Sequence, residues 1–202
     1  MPEKDDAPRP QAQRITDLDA LKVFTHPLRI QLYRHLVTSG AATASHLADQ
    51  VDEAVSLVSY HLRKLAAHGF IVEAPEKSTD GRERWWKVSA ERGFSFRSGD
   101  FTDRPEGAAV VNEVTRQLLA SRYERYERYL AQQAAWAGEW TDASFSSEYM
   151  PRLSAAELHE MDEEITALMR RWIDRGKAAV EAGDTEGREL VAVQMYGFPF
   201  RE

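Results

Sequence analysis

The sequence predicts a mainly helical α+β chain, and three features predict it. Before residue 70, apolar residues recur at three- and four-residue spacing in four short successive runs. The spacing then changes to strand-like stretches at Phe70–Ala74 and Trp85–Ser89, on either side of an Asp80-Gly81 turn signal. Beyond residue 107, two long helical patterns and a few strand-like stretches complete the chain.

Each element has its own signal. Residues 1–15 are polar and proline-bearing and read as a disordered tail. Thr16 is placed to cap a helix over Asp17–Phe24, whose early acids Asp17 and Asp19 suit its positive end. Pro27 opens the next helix, since its ring fits a first turn, and Leu28, Leu32 and Leu36 run down one face as far as Gly40. Thr43 caps a third helix carrying Leu47 and Val51. Asp52 or Glu53 introduces a fourth, from Val55 to His68, which Gly69 closes. A two-stranded hairpin follows, with Lys77, Arg82 and Arg84 toward its tip. Residues 93–107 read as a linker. A long helix is expected over Ala108–Ala137, a strand within Trp140–Tyr149, and a helix from Ala155 to about Ala182 behind a Ser154/Glu157 capping box. Leu190–Tyr196 reads as a final strand. The expected organisation is therefore a tail (1–15), a first domain (16–92), a linker (93–107) and a C-terminal region (108–202).

Composition excludes several classes of function. The 202 residues contain no cysteine, which removes disulfides, thiolate metal sites and cysteine nucleophiles. No apolar run is long enough to span a bilayer and no signal-peptide core is present, so a cytoplasmic location is expected. No phosphate-cradling glycine loop, GxSxG elbow or HExxH helix occurs, so neither catalytic residues nor a cofactor is expected. The net charge of −7 disfavours indiscriminate binding to polyanions, but it is unevenly spread. Residues 1–95 hold 13 cations and 13 anions, whereas residues 96–202 hold 13 and 20.

The fourth helix carries the functional argument. Val58, Leu62 and Leu65, with His61 beside them, share one face and are expected to be buried. Ser56, Ser59, Tyr60 and Arg63 stack on the adjoining face: short hydroxyls, one ring and one guanidinium, with no carboxylate. Such a face approaches a nucleic-acid groove closely, and an arginine donates two hydrogen bonds to a guanine edge. A capped helix, a tight turn and this helix make a helix-turn-helix, and His46 on the preceding helix is exposed by pattern and within reach of phosphate. Arg82 and Arg84 on the hairpin would reach neighbouring phosphates as a wing.

The stretch His26-Pro27-Leu28-Arg29-Ile30, the Thr43–Val51 helix, "VSYHLRKLAAHGFI" and the hairpin end "RWWKV" together resemble the winged helix-turn-helix of ArsR-type bacterial repressors over residues 16–90. The resemblance implies a homodimer whose recognition helices read successive major grooves of a double-stranded DNA operator through Ser56, Ser59, Tyr60 and Arg63, with support from Ser45 and His46 on the preceding helix. It departs from the metal-sensing members, because the third helix reads Ala44-Ser-His-Leu-Ala-Asp-Gln50 and only His159 lies beyond residue 95. No metal site is therefore expected. The C-terminal region reads instead as an added dimerisation or effector region. Tyr123, Tyr126 and Tyr129 would form a dimer seam, and Trp136, Trp140, Trp172 and Tyr196 would line a pocket for a small apolar ligand. The rival reading is a winged-helix protein-interaction module that does not bind DNA, because residues 61–87 hold only six cations against four anions.

Overall fold

A computed structural model describes residues 13–78, 83–89, 93–136 and 138–201, with the side chain of Gln13 excepted. Among them the chain is mostly helical with a small antiparallel sheet, as the sequence predicts. It divides into two compact units between Gln132 and Gln133.

In the first unit a short strand, β1 (Gln13–Arg14), leads into α1 (Leu18–Lys22). The cap of α1 is Asp17 rather than the expected Thr16: its Oδ1 accepts the amides of Asp19 at 2.6 Å and Ala20 at 3.3 Å. A carboxylate there also meets the positive end of the helix. The helix tightens into a 3₁₀ turn over Val23–Thr25 instead of running on to Phe24 as α-helix. His26 then caps α2 (Pro27–Ser39), its Nδ1 accepting the Leu28 amide, and Gly40 ends α2 with φ +79°, where a side chain would be strained.

Strand β2 (Ala42–Thr43) runs directly into α3 (Ala44–Val51), and α4 (Val55–Ala67) follows. Neither Asp52 nor Glu53 caps α4: its N-cap is Ala54, with no side-chain bond, while Asp52 turns left-handed to end α3. Strands β3 (Ile71–Glu73) and β4 (Trp85–Val88) form the predicted hairpin, with Ile71 opposite Val88 and Glu73 opposite Trp86. Strand β2 adds to its far edge through Ala42–Trp86 and Thr43–Trp85, an addition the sequence did not announce. The Asp80-Gly81 turn and Arg82 lie outside the described residues.

The segment expected to be a linker completes the core. Strand β5 (Phe94–Ser95) pairs in parallel with β1, and a 3₁₀ turn over Ser98–Phe101 buries Phe101. Arg14 donates to both Asp100 oxygens, at 2.6 and 3.1 Å, tying the two segments together. Phe24 stacks on Phe94 at 4.1 Å and meets Phe70 edge-on at 4.6 Å. Next comes α5 (Gly107–Gln132), which opens on a glycine because a Cβ there would strike the Phe101 carbonyl oxygen. Its Val111 and Val114 are buried, and it packs on α1 and α2. The first unit thus runs well past residue 92 and includes the long helix.

The second unit differs most from expectation. In place of a strand within Trp140–Tyr149 it forms α6 (Gly138–Ala143), where Ser144 closes the last turn by donating its amide and hydroxyl to the Trp140 carbonyl. The long helix ahead of it stops at Gln132 and a 3₁₀ turn covers Gln133–Ala135, while Ala137 is not among the described residues. Helix α7 (Ala155–Glu181) starts on the expected capping box, with Ser154 Oγ accepting the Glu157 amide and Glu157 accepting the Ser154 amide. Leu190–Tyr196 forms no strand, since a ladder needs a neighbouring strand to pair with. No described side chain of this unit is buried.

Candidate nucleic-acid interface

Burial separates the two faces of α4 as its sequence predicts. Val58, Leu62 and Leu65 are fully buried and His61 is 3% exposed. Ser56, Tyr60 and Arg63 are exposed and Ser59 half-exposed. The leucines seat the helix against α2 and α3, and that seating turns the hydroxyls and the guanidinium outward.

His61 sits under this helix with its ring 4.3 Å from that of His26. Its Nδ1 has no hydrogen-bond partner. Burial, reinforced by His26 and Arg29, pushes its pKa down to about 4, so the ring is neutral near pH 7. Arg29, from the His-Pro-Leu-Arg stretch, donates inward to the Val23 carbonyl and is a structural residue.

Thr43 joins the wing to the helix-turn-helix. Its backbone pairs with Trp85 in the sheet while its Oγ1 accepts the His46 amide at 3.2 Å. One residue therefore ends β2, caps α3 and fixes the distance from the wing to the first turn of α3, where Ser45 and His46 lie exposed. The His46 ring meets Trp85 edge-on at 5.4 Å.

The result is an open groove of about 360 Å³ between α3, α4 and the hairpin. Its lining includes Ser45, Ser59, Arg63 and Arg84, drawn from three elements, with Trp86 and Glu83 beside them. Arg84 lies over the Trp86 ring, its guanidinium carbon 5.7 Å from the centroid, and 3.2 Å from a Glu73 oxygen. Lys87 pairs with Glu76 at 2.6 Å. These pairs are roughly half-exposed, and such bridges are worth about 0–1 kcal/mol, so an incoming anion would displace them at little cost. Of the other predicted residues, His46 is exposed against Trp85 and is not among the residues lining the groove, and Ser56 and Tyr60 continue the exposed face of α4. The contributions of Trp86 and Glu83 were missed, because they depend on how the hairpin folds back over α3.

The aromatic set of the second unit stays open to solvent. Trp136 and Trp140 meet at 6.4 Å, while Trp172 and Tyr196 are 56% and 48% exposed.

Residues 24–74 match a family model described as a helix-turn-helix domain. The match covers α2, α3, α4 and β3 and points to a DNA-binding regulator. No curated protein matches the chain. Among the described residues, no helix is long and apolar enough to cross a membrane.

Proposed function

We propose that the protein is a homodimeric, sequence-specific transcription regulator of the ArsR type, acting as a cytoplasmic repressor. The observation that carries this reading is the groove that gathers Ser45, Ser59, Arg63 and Arg84 from two helices and a wing. Arg63 reads a base edge in the major groove, and the hydroxyls of Ser56 and Ser59 let the helix approach closely. Ser45, His46, Arg84 and the wing residue Arg82 hold phosphates. Tyr123 and Tyr126, exposed on α5, with the half-buried Tyr129 stacked on Tyr126 at 6.1 Å, support a second copy at this helix. Trp136, Trp140, Trp172 and Tyr196 supply apolar surface for a small effector, which shifts the protein only if it binds one arrangement of the two wings better than the other.

Glu73, Glu76 and Glu83 among the wing cations favour the rival reading, a module that docks on another protein. Selection from a random duplex pool decides between them. The expected product is a two-fold symmetric site with half-sites about 34–36 Å apart, bound with steep salt dependence. A pool without enrichment, and duplex affinity indifferent to salt, would sink the DNA reading.

A further inference from the structure

Helix α7 carries a stripe of which the proposed function uses only Trp172. Leu158, Met161, Ile165, Leu168 and Trp172 recur at alternating spacings of three and four, the repeat by which two helices interlock side by side. The first three are half-buried, while Leu168 is 42% and Trp172 56% exposed. The next position of the repeat is Arg175, whose guanidinium lies over the Trp172 ring at 5.2 Å and prolongs the apolar stripe with its methylenes.

Charge identifies the occupant of this stripe. From Ala155 to Ala167 the helix holds Glu157, Glu160, Asp162, Glu163 and Glu164 and no lysine or arginine. From Leu168 to Glu181 it holds Arg170, Arg171, Arg175 and Lys177 against Asp174 and Glu181. A parallel pair would set acidic half against acidic half, with Glu157 facing an aspartate of the same sign. An antiparallel pair sets acidic half against basic half.

We infer that α7 pairs antiparallel with α7 of a second copy, about a two-fold axis at the middle of the helix. Leu158 then faces Arg175 of the partner subunit, Met161 faces the partner subunit's Trp172, and Ile165 faces the partner subunit's Leu168. Glu164 lies beside Arg171 of the partner subunit, and the symmetry makes that ion pair twice. The inference rests on the homodimer proposed above and adds to the α5 tyrosines a second surface that joins the two copies.

The chain has no cysteine, so introduced thiols report on this geometry without interference. Two full-length chains of different tag, one Leu158→Cys and one Arg175→Cys, are mixed and oxidised. The two positions are about 25 Å apart along a helix, so they cannot bridge within one copy. Disulfides between unlike chains alone are expected. Like-with-like disulfides, or no disulfide in any mixture, would overturn the pairing. Sedimentation separates the two levels of the argument: a dimer without the mixed disulfide removes α7 and keeps the homodimer, and a monomer removes both. Glu164→Arg is expected to weaken self-association about tenfold, and adding Arg171→Glu to restore it. Failure of the double variant to recover, with helix content intact, would also overturn the ion pair and the inference.

Discussion

Arg63 and Arg84 line the same groove but perform different tasks, and substitution separates them. Arg63→Ala should cost about 1–3 kcal/mol on the selected site and little on random duplex, because it removes a base contact. Arg84→Ala should weaken both targets equally and flatten the salt dependence by about one unit. Titration of both duplexes over a range of salt checks the pair, and equal loss from Arg63→Ala would remove its reading role. His61 gives a prediction of another kind. Its folded pKa of about 4 lies below the ordinary histidine value, so between the two the unfolded chain takes up a proton that the folded chain refuses. Stability is whole above pH ~6.5 and declines as the pH falls toward ~4, by about 1–2 kcal/mol at pH ~5. Urea titrations at the two ends of that window should show the loss in the parent and much less of it in His61→Leu. An equal loss in both would assign the acid sensitivity to other groups. The exposed and buried faces of α4 were legible in the sequence because 3.6-residue periodicity fixes them. The Arg84–Glu73 pair and the His46–Trp85 contact were not, since each joins residues ten or more positions apart across a fold.

Thr43 is where two elements depend on a single residue, the sheet on its backbone and α3 on its hydroxyl. Removing an N-cap hydroxyl costs about 1 kcal/mol and up to about 2. Thr43→Ala should therefore lower unfolding stability by that amount and loosen the first turn of α3, weakening duplex binding through Ser45 and His46. Thr43→Ser, which keeps the oxygen, should recover most of both. Denaturant titration beside duplex binding tests it, and full stability in the alanine variant would show that the cap does not hold α3. Helices α2, α3 and α4 were legible from different signals: Pro27, Gly40 and a leucine face for α2, the Thr43 cap for α3, and a leucine face closed by Gly69 for α4. Strands β1, β2 and β5 are two residues long, too short for any alternation to show, and are strands only because tertiary packing brings partners alongside. Leu190–Tyr196 fails for the converse reason: it has strand composition, but in one copy it has no partner ladder.

Over the whole molecule, core and charge are divided between the two units. Every buried side chain among the described residues lies between Ile15 and Val114, whereas residues 133–202 carry 14 acids against 7 bases, the entire net charge of −7. The first unit, neutral overall, thus holds the apolar burial that stabilises a fold, and the second holds the repulsion toward DNA and the α7 stripe. A chain ending at Gln132 should therefore unfold cooperatively, with a midpoint close to that of the parent. On an isolated half-site it should bind at least as tightly as the parent, since the segment removed repels phosphate. On the complete two-fold site it should lose affinity, by a large factor that reflects the missing α7 pairing and the lost advantage of two linked half-sites. Calorimetry and titration of both duplexes measure these outcomes together. A truncated chain that melts without cooperativity would show that the second unit supports the core. One that keeps full affinity for the two-fold site would place the dimer on α5, along Tyr123, Tyr126 and Tyr129, and leave α7 free for another task.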